Sequence, residues 1–271
     1  MDLNTVSEIG RPGGRGDLQA WRVGDAWLAG GTWLFSEPQP ALTRLIDLFG
    51  LGWPALEPGA DGLRVGATCT LAQLAAAEFP ADWRAAPLFR QCCRALLGSF
   101  KIWNAATVGG NLCMALPAGP MAALVTALDG VCIIWTQAGG ERSVPAAEFI
   151  LGPQRTVLTQ GELLRAVDLP LAALRLRTTF RQISLTPAGR SAALLVGTRA
   201  PGGSFALTVT AATRRPVRLD FDGIPSETEV HQAVVQAIPD ALYYDDLHGA
   251  PAWRRHMTFR FAEEIRQELS S

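Results

Sequence analysis

The chain has 271 residues, with 24 lysines and arginines against 25 aspartates and glutamates, 48% apolar residues and only 18% charged ones. That balance excludes a disordered chain and an electrostatically driven nucleic-acid binder, and the length is enough to bury a sizeable core in two domains. Glycine is the unusual component, at 27 residues, above the usual share of ~7%.

The start, Met1-Asp2-Leu3-Asn4-Thr5, has no basic residue followed by an apolar stretch, and no run of ~18 apolar residues occurs anywhere, so a cytoplasmic chain without a membrane span is expected. Residues 18–35 read as a buried strand around Ala26-Trp27-Leu28-Ala29 that breaks into a tight loop at Gly30-Gly31-Thr32. Residues 41–50 fit a helix or a short strand, and residues 63–67 a second strand. Thr70 is placed to cap a helix beginning at Leu71. Across residues 83–97, Leu88, Cys92, Ala95 and Leu96 share one helical face, and Gly98-Ser99 ends the pattern. A second glycine block, Asn104-Ala105-Ala106-Thr107-Val108-Gly109-Gly110-Asn111, follows, then the turn Pro117-Ala118-Gly119-Pro120, an apolar helix over 121–128 and a β-branched strand over 131–135.

Val167-Asp168-Leu169-Pro170 closes a strand, and the character of the chain changes there. Segments 179–183, 192–197, 204–211 and 217–221 alternate between Pro/Gly turns and read as antiparallel strands. Two helices follow, over 226–237 with the capping box Ser226-x-x-Glu229, and over 252–268. The expected fold is α+β, with a two-lobed N-terminal domain over 1–172 and a smaller C-terminal domain of antiparallel sheet plus helices over 173–271.

The five cysteines, Cys69, Cys92, Cys93, Cys113 and Cys132, are odd in number, form no C-x-x-C and sit among apolar neighbours, as reduced structural thiols do. No metal site is expected, because a cluster or zinc site needs four ligands at clustered spacing, and His231, His248 and His256 lie late and apart. Tyr243-Tyr244-Asp245-Asp246 reads as a turn and helix entry, and Arg214-Arg215 and Arg254-Arg255 as solvated faces or rim contacts. No catalytic acid, base or nucleophile is indicated.

The two Gly-Gly pairs carry the functional signal. Each follows an apolar segment, and without Cβ atoms the backbone can approach a ligand while successive N–H groups cradle phosphate oxygens. Neither block is G-x-G-x-x-G or G-x-x-x-x-G-K-[ST], so the Rossmann and P-loop readings have no motif here. Two such blocks in one N-terminal domain suggest a dinucleotide wedged between two lobes.

Leu28-Ala29-Gly30-Gly31-Thr32, the block 104–111, Pro117-Ala118-Gly119 and Leu124-x-x-Ala127-Leu128-Asp129 together resemble the FAD-binding medium subunit of molybdenum hydroxylases, the xanthine dehydrogenase and carbon monoxide dehydrogenase family. The resemblance continues through Phe180-Arg181-Gln182-Ile183-Ser184, Ala188-Gly189-Arg190-Ser191-Ala192-Ala193 and the stretch from Asp246 to Arg255, in order over about residues 26–265. It implies an FAD-dependent oxidoreductase subunit that passes electrons from the [2Fe-2S] clusters of a small subunit through FAD to NAD, oxygen or another acceptor, with molybdopterin in a large subunit. It further implies that Ala29, Gly30, Gly31, Thr32, Trp33, Thr107, Gly109, Gly110 and Asn111 line the FAD diphosphate and ribityl region. Leu164 would pack near the flavin, and Arg181 would supply a cation beside the isoalloxazine, where it stabilises the anionic reduced ring. Two positions depart from the family pattern: Trp103 stands where Arg is common, and Pro120 where Asp is common. A free-standing flavin oxidase and a flavin-free structural subunit are the alternative readings.

Overall fold

The computed structural model describes residues 3–18 and 20–271; the start of the chain at Met1-Asp2, on which the expected absence of a leader rests, lies outside them, as does Gln19 within the stretch 18–35. A small lobe opens the chain, formed by β1 (Glu8–Gly10), β2 (Asp25–Leu28) and β3 (Arg44–Asp47) in the order β1-β3-β2, all parallel. The ambiguous stretch 41–50 is therefore a strand, and it is buried at all four positions although both its ends are charged. Arg44 pairs with Asp25, its register partner on β2, through Nε at 2.8 Å and Nη2 at 2.5 Å. The Arg44 guanidinium holds the Asp25 carboxyl below its usual range. Asp47 ends the strand by accepting from the Phe49 amide at 3.0 Å, which starts a tight turn over Leu48–Leu51.

The second lobe runs through β4 (Leu56–Gly59), β5 (Gly62–Gly66), α1 (Leu71–Ala76), α2 (Ala86–Ala95), α3 (Phe100–Ala105), α4 (Val108–Met114), α5 (Pro120–Ala127), β6 (Val131–Trp135), β7 (Glu141–Pro145), α6 (Ala146–Phe149), β8 (Ile150–Gly152), β9 (Arg155–Thr156), β10 (Leu163–Pro170) and α7 (Leu171–Leu174). Its antiparallel sheet has the order β4-β5-β10-β6-β7. Thr70 caps α1 in a complete capping box with Gln73. Helix α2 is shorter than the apolar periodicity of 83–97 suggests, because Trp83 and Ala86 first form turns and the Ala85 amide donates to Leu174. Burial pushes the Cys69, Cys93 and Cys132 thiols up to about 12, which keeps them protonated and inert.

The C-terminal part is an antiparallel meander of β11 (Arg177–Ile183), β12 (Ala193–Arg199), β13 (Phe205–Thr210) and β14 (Val217–Phe221), followed by α8 (Glu227–Ala237) and α9 (Pro251–Ser270). Ser226 caps α8 with Glu229 in the expected box. Side chains alternate across a strand, so the continuous apolar run in β12 implies two buried faces. Leu194 and Val196 join the core of the second lobe, whereas Ala193 and Leu195 join a separate core under α8 and α9. Helix α5, buried at every residue, is the element that the first face of this sheet covers. Arg218 of β14 clamps the end of α5, donating to Thr126 O at 2.9 Å and Ala127 O at 3.1 Å, where a helix C-terminus presents free carbonyls to a cation.

The first lobe is held to the second by Trp27, whose indole Nε1 donates to Glu162 O at 2.9 Å, and by a small cluster of Leu48, Leu51 and Leu163 packed with Trp27, Ala29, Trp53 and Trp135. The buried Glu162 side chain accepts from Arg142 at 2.8 and 2.6 Å and from the Thr159 amide at 2.8 Å. The Arg142 guanidinium, with help from that amide and against the cost of burial, holds the carboxyl down from 4.5 to about 2. A depressed carboxyl stabilises the fold above its unfolded value and loses that contribution as pH falls through the folded one. Stability is therefore expected to drop by about 3 kcal/mol between pH ~5 and ~2 from this group. Thermal melts of Glu162→Gln across that range test it: the variant should start less stable at neutral pH and show a shallower acid slope.

No helix among the described residues is long and apolar enough to cross a membrane.

Candidate functional site

Strand β2 delivers the first glycine pair into a turn. Gly31 has φ +67°, a left-handed conformation that suits glycine, and its carbonyl accepts from the Phe35 amide at 2.9 Å. Gly30 is needed for a different reason: a Cβ there would lie 1.7 Å from the carbonyl oxygen of Ala105. The loop thus rests backbone to backbone against the end of α3, within the second glycine block and just before its Gly-Gly pair. Two blocks some 75 residues apart in sequence are brought to one place by the bare α-carbon of Gly30.

Between them opens a cavity of about 600 Å³, within the range of ~300–1,000 Å³ found for small-molecule sites. Ala29, Gly30, Gly31, Thr32, Trp33, Thr107, Gly110 and Asn111 line it. The structure does not bring the other three expected residues to it. Gly109 is buried against β5, where a Cβ would sit 2.5 Å from that of Ala67; it is a packing glycine of α4. Leu164 is 2% exposed inside the core of the second lobe. Arg181 points its guanidinium to Glu264 at 3.0 Å and Glu268 at 2.6 Å on α9. Neither Trp103 nor Pro120 lines the cavity: Trp103 packs on the core and donates to Leu96 O at 3.4 Å, and Pro120 opens α5.

The two blocks differ chemically. In the second, Thr107 is the N-cap of α4, and the four amides from Val108 to Asn111 already have protein acceptors. Val108 donates to Cys69 O and Gly109 to Ala67 O, each at 2.9 Å, Gly110 to Thr107 Oγ1 at 3.0 Å, and Asn111 to Thr107 O at 2.9 Å. A phosphate cradle at this helix start, as the glycines suggest, is not what forms. The cap favours helix strongly enough to carry two poor helix formers in the first turn. In the first block, by contrast, no acceptor among the described residues pairs with the amides of Gly30, Gly31, Thr32, Trp33 or Leu34. Five consecutive N–H groups without a protein acceptor, on a loop that lines the cavity, are donors left for a ligand, and an anion is the ligand such groups suit.

Asn111 braces the wall beside them, its Oδ1 accepting from the Met121 amide at 3.1 Å at the start of α5. This supplies the side-chain cap that Gly119, at the N-cap position of α5, lacks.

The far wall comes from the C-terminal part, through Arg190, Ser191, Ala211, Tyr244, Asp246 and Arg254. Arg254 is 1% exposed, which overturns its reading as a solvated or rim residue. Its Nε donates to Gly249 O at 2.8 Å, its Nη1 to Ala192 O at 2.7 Å and Ala211 O at 2.6 Å, and its Nη2 to Asp246 Oδ1. Burial draws its pKa down, opposed by Asp246. Ala211, with φ +62°, in turn donates its amide to Pro117 O at 2.9 Å. One buried guanidinium therefore ties helix α9 to the strained end of β13 and, through it, to the turn 117–119 on the cavity wall. Sequence patterning misses Arg254 because periodicity assigns charged residues to solvent. The signal available was the acidic Asp246 eight residues upstream, at the entry to the helix.

An anion-receptive amide run, apolar side walls from Trp27, Leu28, Leu96, Leu97 and Ile102, and few charges suit an elongated ligand with an anionic middle and aromatic ends. Residues 20–172 match the family model described as the FAD binding domain in molybdopterin dehydrogenase. The glyceraldehyde dehydrogenase medium chain of Sulfolobus acidocaldarius is 36% identical over 85 residues, covering 31% of this chain and 30% of that one. A chain of CO dehydrogenase from Oligotropha carboxidovorans superposes with a TM-score of 0.83 at 21% identity, over 98% of both chains. A chain of quinoline 2-oxidoreductase from Pseudomonas putida 86 does so at 0.78 and 21% identity, over 99% of this chain and 98% of that one. At such identities the likeness to the solved structures is one of fold.

Proposed function

The chain belongs to the family of FAD binding domains in molybdopterin dehydrogenases, and from that premise we propose that it is the FAD-carrying, electron-transferring medium subunit of a molybdenum hydroxylase. The observation that carries the reading is the cavity lined by loop 29–34, whose amides at 30–34 have no protein acceptor among the described residues, with Gly30 closing on the second glycine block. FAD fits this donor set: its diphosphate needs N–H donors without demanding a lysine, and the loop offers them. Ala29, Gly30, Gly31, Thr32 and Trp33 would hold the diphosphate region. Thr107, Gly110 and Asn111 would supply the opposite wall, with Gly109 setting the position of α4 from behind.

When bound, FAD supplies the redox chemistry and exchanges electrons one or two at a time. This chain's residues bind and orient it and limit the access of water. Electrons would arrive from the [2Fe-2S] clusters of a small subunit, reduced in turn by a molybdopterin-bearing large subunit, and leave to NAD, oxygen or another acceptor. The name of the Sulfolobus relative, a medium chain, supports a multi-subunit setting, although the matched segment spans only 30% of that relative's length. We keep the domain division at 1–172 and 173–271, supported by the end of the matched span at residue 172, with a cytoplasmic location as part of the same reading.

Reconstitution of the purified chain with FAD tests it. Oxidised-flavin absorbance retained after gel filtration is expected, together with co-purification of molybdenum- and iron-containing partners from the native source. A chain that retains no flavin would favour the structural-subunit reading. Flavin without any molybdenum-containing partner would favour a free-standing oxidase.

A further inference from the structure

Arg181 was the expected cation beside the flavin ring, but it is engaged with Glu264 and Glu268 and does not line the cavity. Among the described residues, four charged ones line the cavity: Glu37, Arg190, Asp246 and Arg254. Arg254 is held at all three nitrogens by Gly249, Ala192, Ala211 and Asp246, so neither member of the Arg254–Asp246 pair carries free charge toward a ligand. Arg190 is different. No hydrogen bond, ion pair or ring contact to its guanidinium occurs among the described residues.

The base of Arg190 is nevertheless fixed. It sits in the connection between β11 and β12, where the Gly189 amide donates to Thr186 O at 2.9 Å and Ser184 Oγ to the same oxygen at 2.6 Å. Directly after it, Ser191 is 1% exposed and accepts from Gln182 Nε2 at 2.9 Å, and the Ala192 amide donates to Ile183 O at 2.8 Å. Arg190 thus combines an anchored backbone beside the cavity with an exposed guanidinium that no described residue engages, a side chain available to a ligand there. The free amides belong to the N-terminal lobe and Arg190 to the C-terminal wall, so the two address different portions of one extended molecule.

Resting on the FAD reading above, we propose that Arg190 is the residue that meets the pyrimidine end of the flavin ring, donating to N1 and the neighbouring C2 carbonyl oxygen and balancing the charge that this locus gains on reduction. Adenine offers no charge for a guanidinium to answer. The flavin ring does, since uptake of two electrons and one proton leaves it with one net negative charge. The planar fork of arginine matches two adjacent acceptors, and its charge does not titrate.

The test uses the full chain, as wild type and as Arg190→Gln, Arg190→Lys and Arg181→Gln, titrated with FAD and with riboflavin by fluorescence and then reduced with dithionite against a reference dye. Arg190→Gln is expected to weaken both flavins by the same factor. It should weaken the reduced form a further tenfold, which for a two-electron couple is a midpoint about 30 mV more negative. Arg190→Lys should fall between, and Arg181→Gln should match wild type. An unchanged midpoint in Arg190→Gln overturns the inference. So does a loss of FAD affinity with riboflavin affinity retained, which would put Arg190 on the diphosphate. A wild-type chain that binds neither flavin would overturn the FAD reading itself, and this inference with it.

Discussion

Gly30→Ala is expected to lower FAD affinity by 10²–10⁴-fold while the fold survives. The new Cβ would lie 1.7 Å from the carbonyl oxygen of Ala105, with the carbonyl carbon at 2.5 Å and the Ala106 amide nitrogen at 3.1 Å. All three are backbone atoms, so no rotamer change relieves the clash. The loop must retreat by more than ~1 Å, and the free amides of residues 30–34 retreat with it. Each charge-assisted hydrogen bond lost to a phosphate is worth about 1.5–3 kcal/mol, and losing two gives the stated range at about 1.4 kcal/mol per tenfold. Stability should change little, because residues 29–36 are half-buried or exposed and contribute little to the main cores. Fluorescence titration with FAD, alongside a thermal melt of the apo protein, measures both. Gly109→Ala is the informative contrast, since its Cβ meets Ala67 Cβ at 2.5 Å and Ala67 O at 2.7 Å inside the core. That variant should lose melting temperature first and flavin only as a consequence. A Gly30→Ala protein that binds FAD within threefold of wild type would show that the meeting of the two loops is not what forms the site.

The contrast between Gly30 and Gly109 also marks how far the sequence could be read. Local signals were sufficient where the physics is local. The β-branched run 131–135 is strand β6 to the residue, and the Thr70 and Ser226 capping boxes start α1 and α8 where their spacing requires. The two Gly-Gly pairs look alike in sequence, yet one closes a turn with its amides free and the other enters a helix with its amides engaged. The difference lies in Thr107, whose hydroxyl caps α4, and in carbonyls of Ala67 and Cys69 that only the tertiary fold supplies. Leu164 and Arg181 were placed by resemblance alone, and the pairing of β10 with β6 and the packing of α9 on β11 decide their surroundings instead. Arg254 is the converse case, a charge whose partners lie 5, 8, 43 and 62 residues away and are mostly backbone carbonyls, which leave no trace in residue type.

Removing that charge should have the largest effect on stability. Arg254→Met keeps the length of the side chain and its apolar stem but deprives the Ala192, Ala211 and Gly249 carbonyls of their donor, and it leaves Asp246 without its cation. The expected cost is about 3–5 kcal/mol, because what remains is a half-buried carboxylate without its cation and three carbonyl oxygens without their donor. Arg254→Lys should recover only part of this, since one ammonium cannot span the acceptors that the guanidinium fork reaches. Urea denaturation gives the measurement, and a loss below 1 kcal/mol in Arg254→Met would mean the network contributes little. The double variant Asp246→Asn/Arg254→Met separates the two costs. With no carboxylate left to strand, it should be less destabilised than the sum of the single changes by about 1–3 kcal/mol. The same cycle bears on the site, because the Arg254 bond to Ala211 O and the Ala211 bond to Pro117 O lie in series between α9 and the cavity wall. FAD affinity measured well below the unfolding transition should therefore fall in Arg254→Met and stay low in the double variant. Removing the Asp246 charge relieves the stranded carboxylate but does not restore the donor that holds the wall.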